Sequence, residues 1–326
     1  MLVAMPIVFI GTPDFAVPSL RRLAADRLEI AAVVTQPDRA TGRHRNKLKA
    51  PPVKEAALEL GLPVLQPPTL RDPDVVAQLR ALTPEVMIVV AYGQILRQEI
   101  LDIPPRGVIN VHASLLPKYR GASPIAAAIL GADEETGVSI MLMDAGMDTG
   151  PVLARRHATI TPDDTTGSVS ERLADIGAEL LGETLPGWLA GRIEAQPQDN
   201  SRATVTRLIR KEDGAIDWTL PAVDVWRRVR AYNPWPGAYT ALDGEQVTIW
   251  RAWPLGTAAG EPPGTTLSMP SGVPVEGGEA AFAVQAGSGA LAVLELQRSG
   301  RRRVTSAEFS RGTPALIGRK FITPAK

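Results

Sequence analysis

Polar side chains occur in residues 107–121, where an apolar, strand-like run is ending. Asn110 and His112 are two positions apart, so on a β-strand both side chains project from the same face. Ligands of open α/β sheets bind beyond the carboxyl ends of the strands, so this pair would point into a crevice. An amide and an imidazole placed there can stabilise the oxyanion that forms when an amine attacks a carbonyl carbon.

A second polar cluster, residues 144–150, follows the next predicted strand. Its glycines allow a tight turn that would bring Asp148 close to His112. A carboxylate there would fix the tautomer of the imidazole and assist proton transfer. The residue types alone leave a structural alternative open, because strand histidines often serve as hydrogen-bonding residues and aspartate is a common turn former. The chain has three histidines and no cysteine, so we expect no metal ion.

The order of residues in these two loops resembles the signature of the folate-dependent formyltransferases. The resemblance rests on Asn110-Val-His-Ala-Ser-Leu-Leu-Pro117, on Tyr119-Arg-Gly121 and on Asp148-Thr-Gly150. It implies that Asn110, His112 and Asp148 are the catalytic residues and that 10-formyltetrahydrofolate is the donor. It also implies a folate site near Tyr92, Gly93, Ser114, Leu115, Leu116, Pro117 and Asp144. Ala113 departs from the pattern, since many members of the family have glycine there.

The elements that would position these residues alternate apolar runs with amphipathic stretches over the first two hundred residues. This alternation predicts an α/β fold with a Rossmann-like, mostly parallel sheet and helices on both faces. The predicted strands are 7–10, 30–35, 86–92, 108–112 and 138–143. The predicted helices are 16–25, 52–60, 74–81, 95–101, 125–130 and a longer helix from 169 to 189, whose apolar residues form one stripe.

The pattern changes at residue 193, where a polar, weakly periodic segment predicts a linker that ends at 206. One helix is then predicted near 223–232, followed by short strands at 238–242, 247–252, 281–285 and 291–296. These strands and their Gly/Pro turns predict a small OB-like β-barrel. The expected organisation is therefore a catalytic domain of residues 1–192, a linker of 193–206 and an OB-like domain of 207–326.

Composition excludes several classes of protein. The chain has 326 residues, with 35 basic and 35 acidic side chains, so bulk charge indicates no polyanionic partner. The absence of cysteine excludes disulfides and thiolate nucleophiles. The apolar amino-terminal run lacks the basic residues of a signal peptide, and no apolar stretch is long enough for a membrane span. We expect a cytoplasmic monomer.

Positive charge is nevertheless concentrated in two segments. Residues 38–54 contain six basic residues and one acid, and residues 291–326 contain eight basic residues and two acids. Solvated surface is the ordinary explanation of such runs, but both would also suit phosphate contacts. The first segment resembles, in Thr35-Gln-Pro-Asp-Arg39 and Gly42-Arg43, the basic loop of the branch of the family that formylates methionyl-tRNA. The resemblance implies initiator methionyl-tRNA as acceptor, contacted by Arg39, Arg43, Arg45, Lys47, Lys49, Arg301, Arg302 and Arg303.

Two alternatives remain open on sequence, and a third is weaker. A formyltransferase acting on a sugar-nucleotide or another small amine would keep the catalytic residues but would not need the basic segments. A non-enzymatic RNA-binding module would explain the charges but not the site residues. A nicotinamide dehydrogenase is disfavoured because the Gly11-Thr-Pro-Asp-Phe-Ala16 turn lacks the G-x-G-x-x-G fingerprint.

Overall fold

The computed structural model describes residues 5–41, 47–256, 260–269 and 275–324. They form two compact units. The first contains the described residues of Met1–Pro124, Glu135–Thr159 and Ser170–Thr206, and the second those of Ile125–Glu134, Ile160–Val169 and Arg207–Lys326.

Eleven strands and six α-helices precede residue 207 among the described residues. The strands are β1 (Ile7–Gly11), β2 (Ile30–Val34), β3 (Arg39–Thr41), β4 (Lys47–Lys49), β5 (Val64–Leu65), β6 (Val86–Val90), β7 (Val108–His112), β8 (Arg120–Gly121), β9 (Glu135–Leu142), β10 (Val152–Thr159) and β11 (Val205–Thr206). The helices are α1 (Val17–Ala25), α2 (Pro52–Glu59), α3 (Pro73–Ala81), α4 (Gln98–Leu101), α5 (Pro124–Leu130) and α6 (Thr166–Leu189). No helix of the described chain is long and apolar enough to cross a membrane.

The first unit is built on a seven-stranded sheet in the order β10-β9-β7-β6-β1-β2-β5. The pairs from β7 to β5 are parallel, whereas β9 pairs antiparallel with both β7 and β10. Strands β1 and β6 are buried along their whole length, as expected for parallel strands covered on both faces. The predicted fold class is confirmed, with an antiparallel edge added to the parallel sheet.

Strand β10 was not predicted from the sequence. It lies at the edge of the sheet, and its residues alternate between partly buried and exposed positions that include Arg155 and Arg156. Its polar side chains interrupt the sequence, so it lacks the continuous apolar run by which the central strands are recognised. Two-residue strands such as β5, β8 and β11 carry too little periodicity to be predicted at all.

Residues 193–206, where the sequence predicts a linker, pair with other parts of the first unit. Gln196 exchanges two backbone hydrogen bonds of 2.8 Å with Val152. Strand β11 pairs in parallel with β8, which places Val205 opposite Arg120 and Thr206 opposite Gly121. The segment is thus held against the loop that follows β7.

The second unit contains six strands and two further helices of its own. They are α7 (Ala222–Ala231), β12 (Ala238–Leu242), β13 (Glu245–Leu255), β14 (Thr266–Ser268), β15 (Phe282–Gln285), β16 (Ala290–Arg298), β17 (Val304–Thr305) and α8 (Ser306–Arg311). The antiparallel sheet has the order β12-β13-β16-β15-β14, with β17 paired to β16, and is consistent with an OB-like half-barrel. Trp218, Phe282, Phe309 and Phe321 lie in its core.

Helix α6 packs very closely on the sheet beneath the candidate site. A Cβ atom at Gly177 would lie 2.8 Å from Cγ1 of Val111 on β7 and 3.5 Å from Cγ1 of Val138 on β9. Real Cβ contacts are rarely so short, so a side chain at this position would push α6 away from β7.

We therefore expect Gly177→Val to lower the free energy of unfolding by about 1–3 kcal/mol, as overpacked cores do. Urea denaturation monitored by circular dichroism measures the change. Asp175→Val, at an exposed position of the same helix, controls for the helix propensity of valine. Equal losses for the two variants would show that close packing at Gly177 is not responsible.

Candidate active site

His112 ends strand β7 and is 6% exposed. Its Nε2 lies 3.0 Å from the backbone carbonyl oxygen of Tyr119. A carbonyl oxygen only accepts hydrogen bonds, so Nε2 carries a proton and Nδ1 is the second functional nitrogen. Nδ1 faces Oδ2 of Asp148 at 3.6 Å, which is too long for a direct hydrogen bond. Because neither atom is bonded to the other, a substrate atom can interact with both Nδ1 of His112 and Oδ2 of Asp148.

Asp148 is fixed in an unusual backbone conformation. Its φ is +54°, in the left-handed region that non-glycine residues seldom adopt. Its Oδ2 accepts a 2.7 Å hydrogen bond from the backbone amide of Gly121. Gly121 has φ +98°, and a Cβ there would lie 2.4 Å from the carbonyl oxygen of Thr206. Only glycine fits at this position, because a side chain would collide with Thr206. The close approach lets the Gly121 amide reach the Asp148 carboxylate.

Asn110 lies on the same face of β7 as His112, two residues earlier. Its side chain is half-buried and has no hydrogen-bond partner among the described residues. The amide is therefore available to a substrate oxygen. The structure brings Oδ2 of Asp148 to 3.6 Å from Nδ1 of His112. Asn110 shares a strand with His112, and the catalytic roles of the three residues stay predictions.

The loop after β7 is anchored by buried hydroxyls. Ser114 donates a 2.6 Å hydrogen bond to the Lys118 carbonyl, and its own carbonyl accepts one of 2.7 Å from Ser139 on β9. Ser139 also accepts the Leu116 amide at 3.0 Å. Ser139 and two of the predicted folate residues, Ser114 and Leu116, are all buried, so these contacts shape the loop from inside. Leu115 and Pro117 are half-buried.

The other positions predicted to bind folate differ in accessibility. Burial raises the pKa of the Tyr92 phenol to about 12, and its hydroxyl has no partner among the described residues. The Tyr92 carbonyl accepts a 2.7 Å hydrogen bond from Gln36. Gly93 is exposed, with φ +81°. Asp144 is exposed and accepts hydrogen bonds from Gly146 and Thr149 across its own turn. Gly93 and Asp144 thus present surface to a ligand, whereas the Tyr92 ring does not.

Sequence reasoning missed the side chains that hold Arg120, the residue before Gly121. Gln198 and Asn200, in the segment predicted as a linker, both accept hydrogen bonds from the buried guanidinium of Arg120. These residues are 78 and 80 positions away from Arg120 in sequence. No local pattern marks them, because their only signal is polarity in a stretch that has no periodicity.

The basic segment begins with Asp38, whose carboxylate is held by two neighbouring side chains. Both oxygens of Asp38 accept hydrogen bonds of 2.8 Å from Lys54, and Gln66 donates another of 2.7 Å. The hydrogen bonds from Gln66 and Lys54 lower the pKa of the Asp38 carboxyl. Exposed Arg39 and Lys49 face each other across the β3–β4 pair. Of the other predicted tRNA residues, Arg43 and Arg45 lie outside the described residues, and only the backbone of Lys47 is described.

The predicted tRNA residues of the second unit are exposed but partly paired. Arg302 forms a 2.8 Å ion pair with Glu308. Arg303 lies 3.7 Å from Glu295, with its guanidinium 4.3 Å from the centre of the Trp250 ring. No described residue pairs with the guanidinium of Arg301.

Comparison with known proteins decides the family. Residues 5–185 match the model of the formyl transferase family. The chain belongs to the formyl transferase family. Residues 208–314 match the model of the formyl transferase C-terminal domain. The resemblance drawn from the two loops is thereby confirmed.

Relatives within the formyl transferase family match nearly the whole chain. The methionyl-tRNA formyltransferase of Roseiflexus sp. strain RS-1 is 50% identical over 94% of this chain and 92% of its own length. That of Chloroflexus aggregans is 49% identical over 95% of this chain and 98% of its own. Among solved structures, the N-formyltransferase of Helicobacter canadensis, in complex with folinic acid and dTDP-3-aminofucose, aligns with a TM-score of 0.65. It is 18% identical, covering 89% of this chain and 99% of its own, and shows a shared fold.

The hydroxyl of Ser139 gives a test of how the site loop is held. Ser139→Ala leaves the Ser114 carbonyl and the Leu116 amide without their buried partner, so we expect a loss of about 1–3 kcal/mol in the free energy of unfolding. Ser19→Ala is the matched control, because Ser19 is equally buried and its hydroxyl has no partner among the described residues. Chemical denaturation should show little change for Ser19→Ala. Similar stability of both variants would contradict the anchoring role.

Proposed function

We propose that this formyltransferase transfers the formyl group of 10-formyltetrahydrofolate to the α-amine of methionyl initiator tRNA. The observation that carries the proposal is the likeness to methionyl-tRNA formyltransferases, at 50% and 49% identity along almost the full chain. A likeness of this extent includes the residues of both units. The solved N-formyltransferase that binds an amino sugar nucleotide shares the fold at only 18% identity.

In the proposed reaction, Asn110 acts on the formyl oxygen. When the amine attacks the formyl carbon, negative charge develops on that oxygen. The uncommitted amide of Asn110 donates a hydrogen bond to it, and this interaction strengthens as the charge grows. Because the amide is carried on a strand of the sheet, it need not reorganise during the reaction.

His112 and Asp148 handle the proton of the attacking amine. Nε2 of His112 is already committed to the Tyr119 carbonyl, so the ring exchanges protons through Nδ1, which faces Asp148. The amine proton passes to this pair and then, through water, to the folate nitrogen that leaves. While the ring carries both protons, its positive charge also stabilises the oxyanion. No covalent intermediate with the protein is required.

The folate is proposed to lie along exposed parts of the loops that follow β6 and β9. Gly93 leaves room for a flat ring to approach the backbone, and the exposed turn at Asp144 offers polar groups beside it. The folinic acid in the H. canadensis N-formyltransferase supports a folate as donor. The buried hydroxyls of Ser114 and Ser139 set the shape of this surface rather than touching the ligand.

The acceptor is proposed to bind through phosphate contacts. Arg39, Lys49 and Arg301 are exposed and suited to this role, with Arg302 and Arg303 able to exchange their intramolecular acids for phosphates. Residues 1–192 are proposed to carry the chemistry, and residues 207–326 are proposed to bind tRNA together with the basic segment at 38–54. It places the reaction in the cytoplasm, where charged tRNA is found.

Incubating the pure protein with labelled 10-formyltetrahydrofolate tests the proposal directly. Methionyl initiator tRNA, a free amine and an amino sugar nucleotide are offered separately, and formylated product is counted. Label on the tRNA ester at a rate far above that on the small amines is the expected result. Preferential labelling of the sugar nucleotide would replace the acceptor while leaving the catalytic proposal intact.

Replacing the catalytic groups should act on the rate of the chemical step. We expect His112→Ala or Asp148→Asn to lower kcat by about a hundredfold or more, with a much smaller effect on tRNA binding, because these groups act on the transition state. Single-turnover formylation at saturating enzyme measures the step. His157→Ala and Asp175→Asn, at exposed positions, serve as controls. Near-normal rates for both site variants would refute these roles.

The arginines of the second unit should contribute binding that depends on salt. Replacing Arg301, Arg302 and Arg303 by Ala is expected to weaken binding of all tRNAs alike. The slope of log affinity against log salt should flatten by about 1 for each arginine that contacts a phosphate. Fluorescence titrations across a salt series measure this slope. A variant lacking Arg21, Arg80 and Arg106 instead has the same net charge, and an equal loss there would point to bulk charge alone.

A further inference from the structure

The side chain of Gln198 uses its whole hydrogen-bonding capacity at the base of the Asp148 loop. Its Nε2 donates to the carbonyl oxygens of Asp148, at 2.8 Å, and Gly150, at 2.7 Å. Its Oε1 accepts from Nε of Arg120, at 3.1 Å, and from Nη2, at 2.9 Å. Carbonyls only accept and a guanidinium only donates, so the amide can adopt just one orientation.

Arg120 is itself fixed. It is 6% exposed, and Nη2 donates a further hydrogen bond of 2.7 Å to Oδ1 of Asn200. Its backbone amide donates to the Thr204 carbonyl at 2.9 Å. The next residue is Gly121, whose amide holds the Asp148 carboxylate. Two consecutive residues therefore fix the position of Asp148. Gly121 binds its carboxylate directly, and Arg120 orients Gln198, which binds its backbone carbonyl.

We propose that Gln198 is a positioning residue for Asp148, an inference that rests on the catalytic role proposed for that carboxylate. The left-handed conformation of Asp148 is unfavourable for a residue that carries a side chain. The two hydrogen bonds from Gln198 flank Thr149 and hold the carbonyls on either side of it. Without them the turn relaxes towards an ordinary backbone conformation, and the carboxylate moves away from Nδ1 of His112. Such a displacement slows the chemical step without removing any group that touches substrate.

Gln198→Met tests the inference, because the side chain keeps its length but loses both donors and the carbonyl. We expect kcat in single turnover to fall by about tenfold or more, with the KM for tRNA and for folate within about twofold of wild type. Asn200→Ala is the matched control, since Asn200 also accepts from Arg120 but makes no hydrogen bond to the Asp148 loop. Its kcat should stay within about threefold of wild type.

Gln198→Glu is a second test variant, which keeps the inference testable if Gln198→Met fails to fold. A glutamate keeps an oxygen for Arg120 but cannot donate to the two carbonyls, so it should fold and still lose about tenfold in kcat. A second readout is non-additivity: in an Asp148→Asn background, Gln198→Met should lower the residual rate by less than about twofold, because a positioning residue acts only through its partner.

The inference is overturned if Gln198→Glu retains wild-type kcat or if Asn200→Ala loses as much as Gln198→Met. It is also overturned if Gln198→Met costs a further tenfold in the Asp148→Asn background. Amide hydrogen exchange of residues 144–150 reports on the same contact without activity, and should be faster in Gln198→Met than in wild type or Asn200→Ala. Wild-type protein that does not formylate methionyl-tRNA would refute the proposed function, whereas unchanged exchange would refute the positioning role alone.

Discussion

The hydrogen bond from the Gly121 amide to the Asp148 carboxylate joins two loops that follow different strands of the sheet. One loop leaves β7, which carries Asn110 and His112, and the other leaves β9. A carboxylate and an imidazole from separate loops keep a fixed separation only if the loops are tied together near both groups. The Gly121 amide supplies that tie on the carboxylate side, and the Tyr119 carbonyl supplies it on the imidazole side. The geometry of the site therefore depends on backbone groups two residues apart.

Most of the support for the site is neutral. Backbone amides, carbonyls and the hydroxyls of Ser114 and Ser139 hold the loop after β7. Two guanidinium groups also contribute among the described residues, and both donate to neutral oxygens: Arg120 to Gln198 and Asn200, and Arg155 to the Leu116 carbonyl. Fixed dipoles of this kind support charge that develops during a reaction without themselves moving. They also leave the charge of the Asp148–His112 pair free to change during catalysis, since no lysine or arginine of the described residues forms an ion pair with Asp148.

The sequence predicted those parts of the molecule whose signal is local. Strand β7 was predicted with its observed ends because an apolar run, broken by two polar residues at a spacing of two, can be recognised without its neighbours. The approach of Asp148 to His112 followed from a glycine-rich turn at the end of the adjacent strand. Edge strand β10 was missed because its arginines replace the apolar pattern, and helix α8 because six residues show too little periodicity. The contacts of Gln198 join segments about 50 and 78 residues apart, which a single sequence does not pair.

The period of two along β7 also limits where this protein can change in length during evolution. Inserting or deleting one residue between Asn110 and His112 would turn one of the two side chains to the opposite face of the sheet. Strand β7 lies between β6 and β9, so such a shift would also break the pairing of Asn110 with Val89 and Met141. Length variation among relatives should therefore be absent from residues 108–112 and concentrated in exposed turns away from the site, such as 26–27 between α1 and β2, where an added residue leaves the register of every strand unchanged.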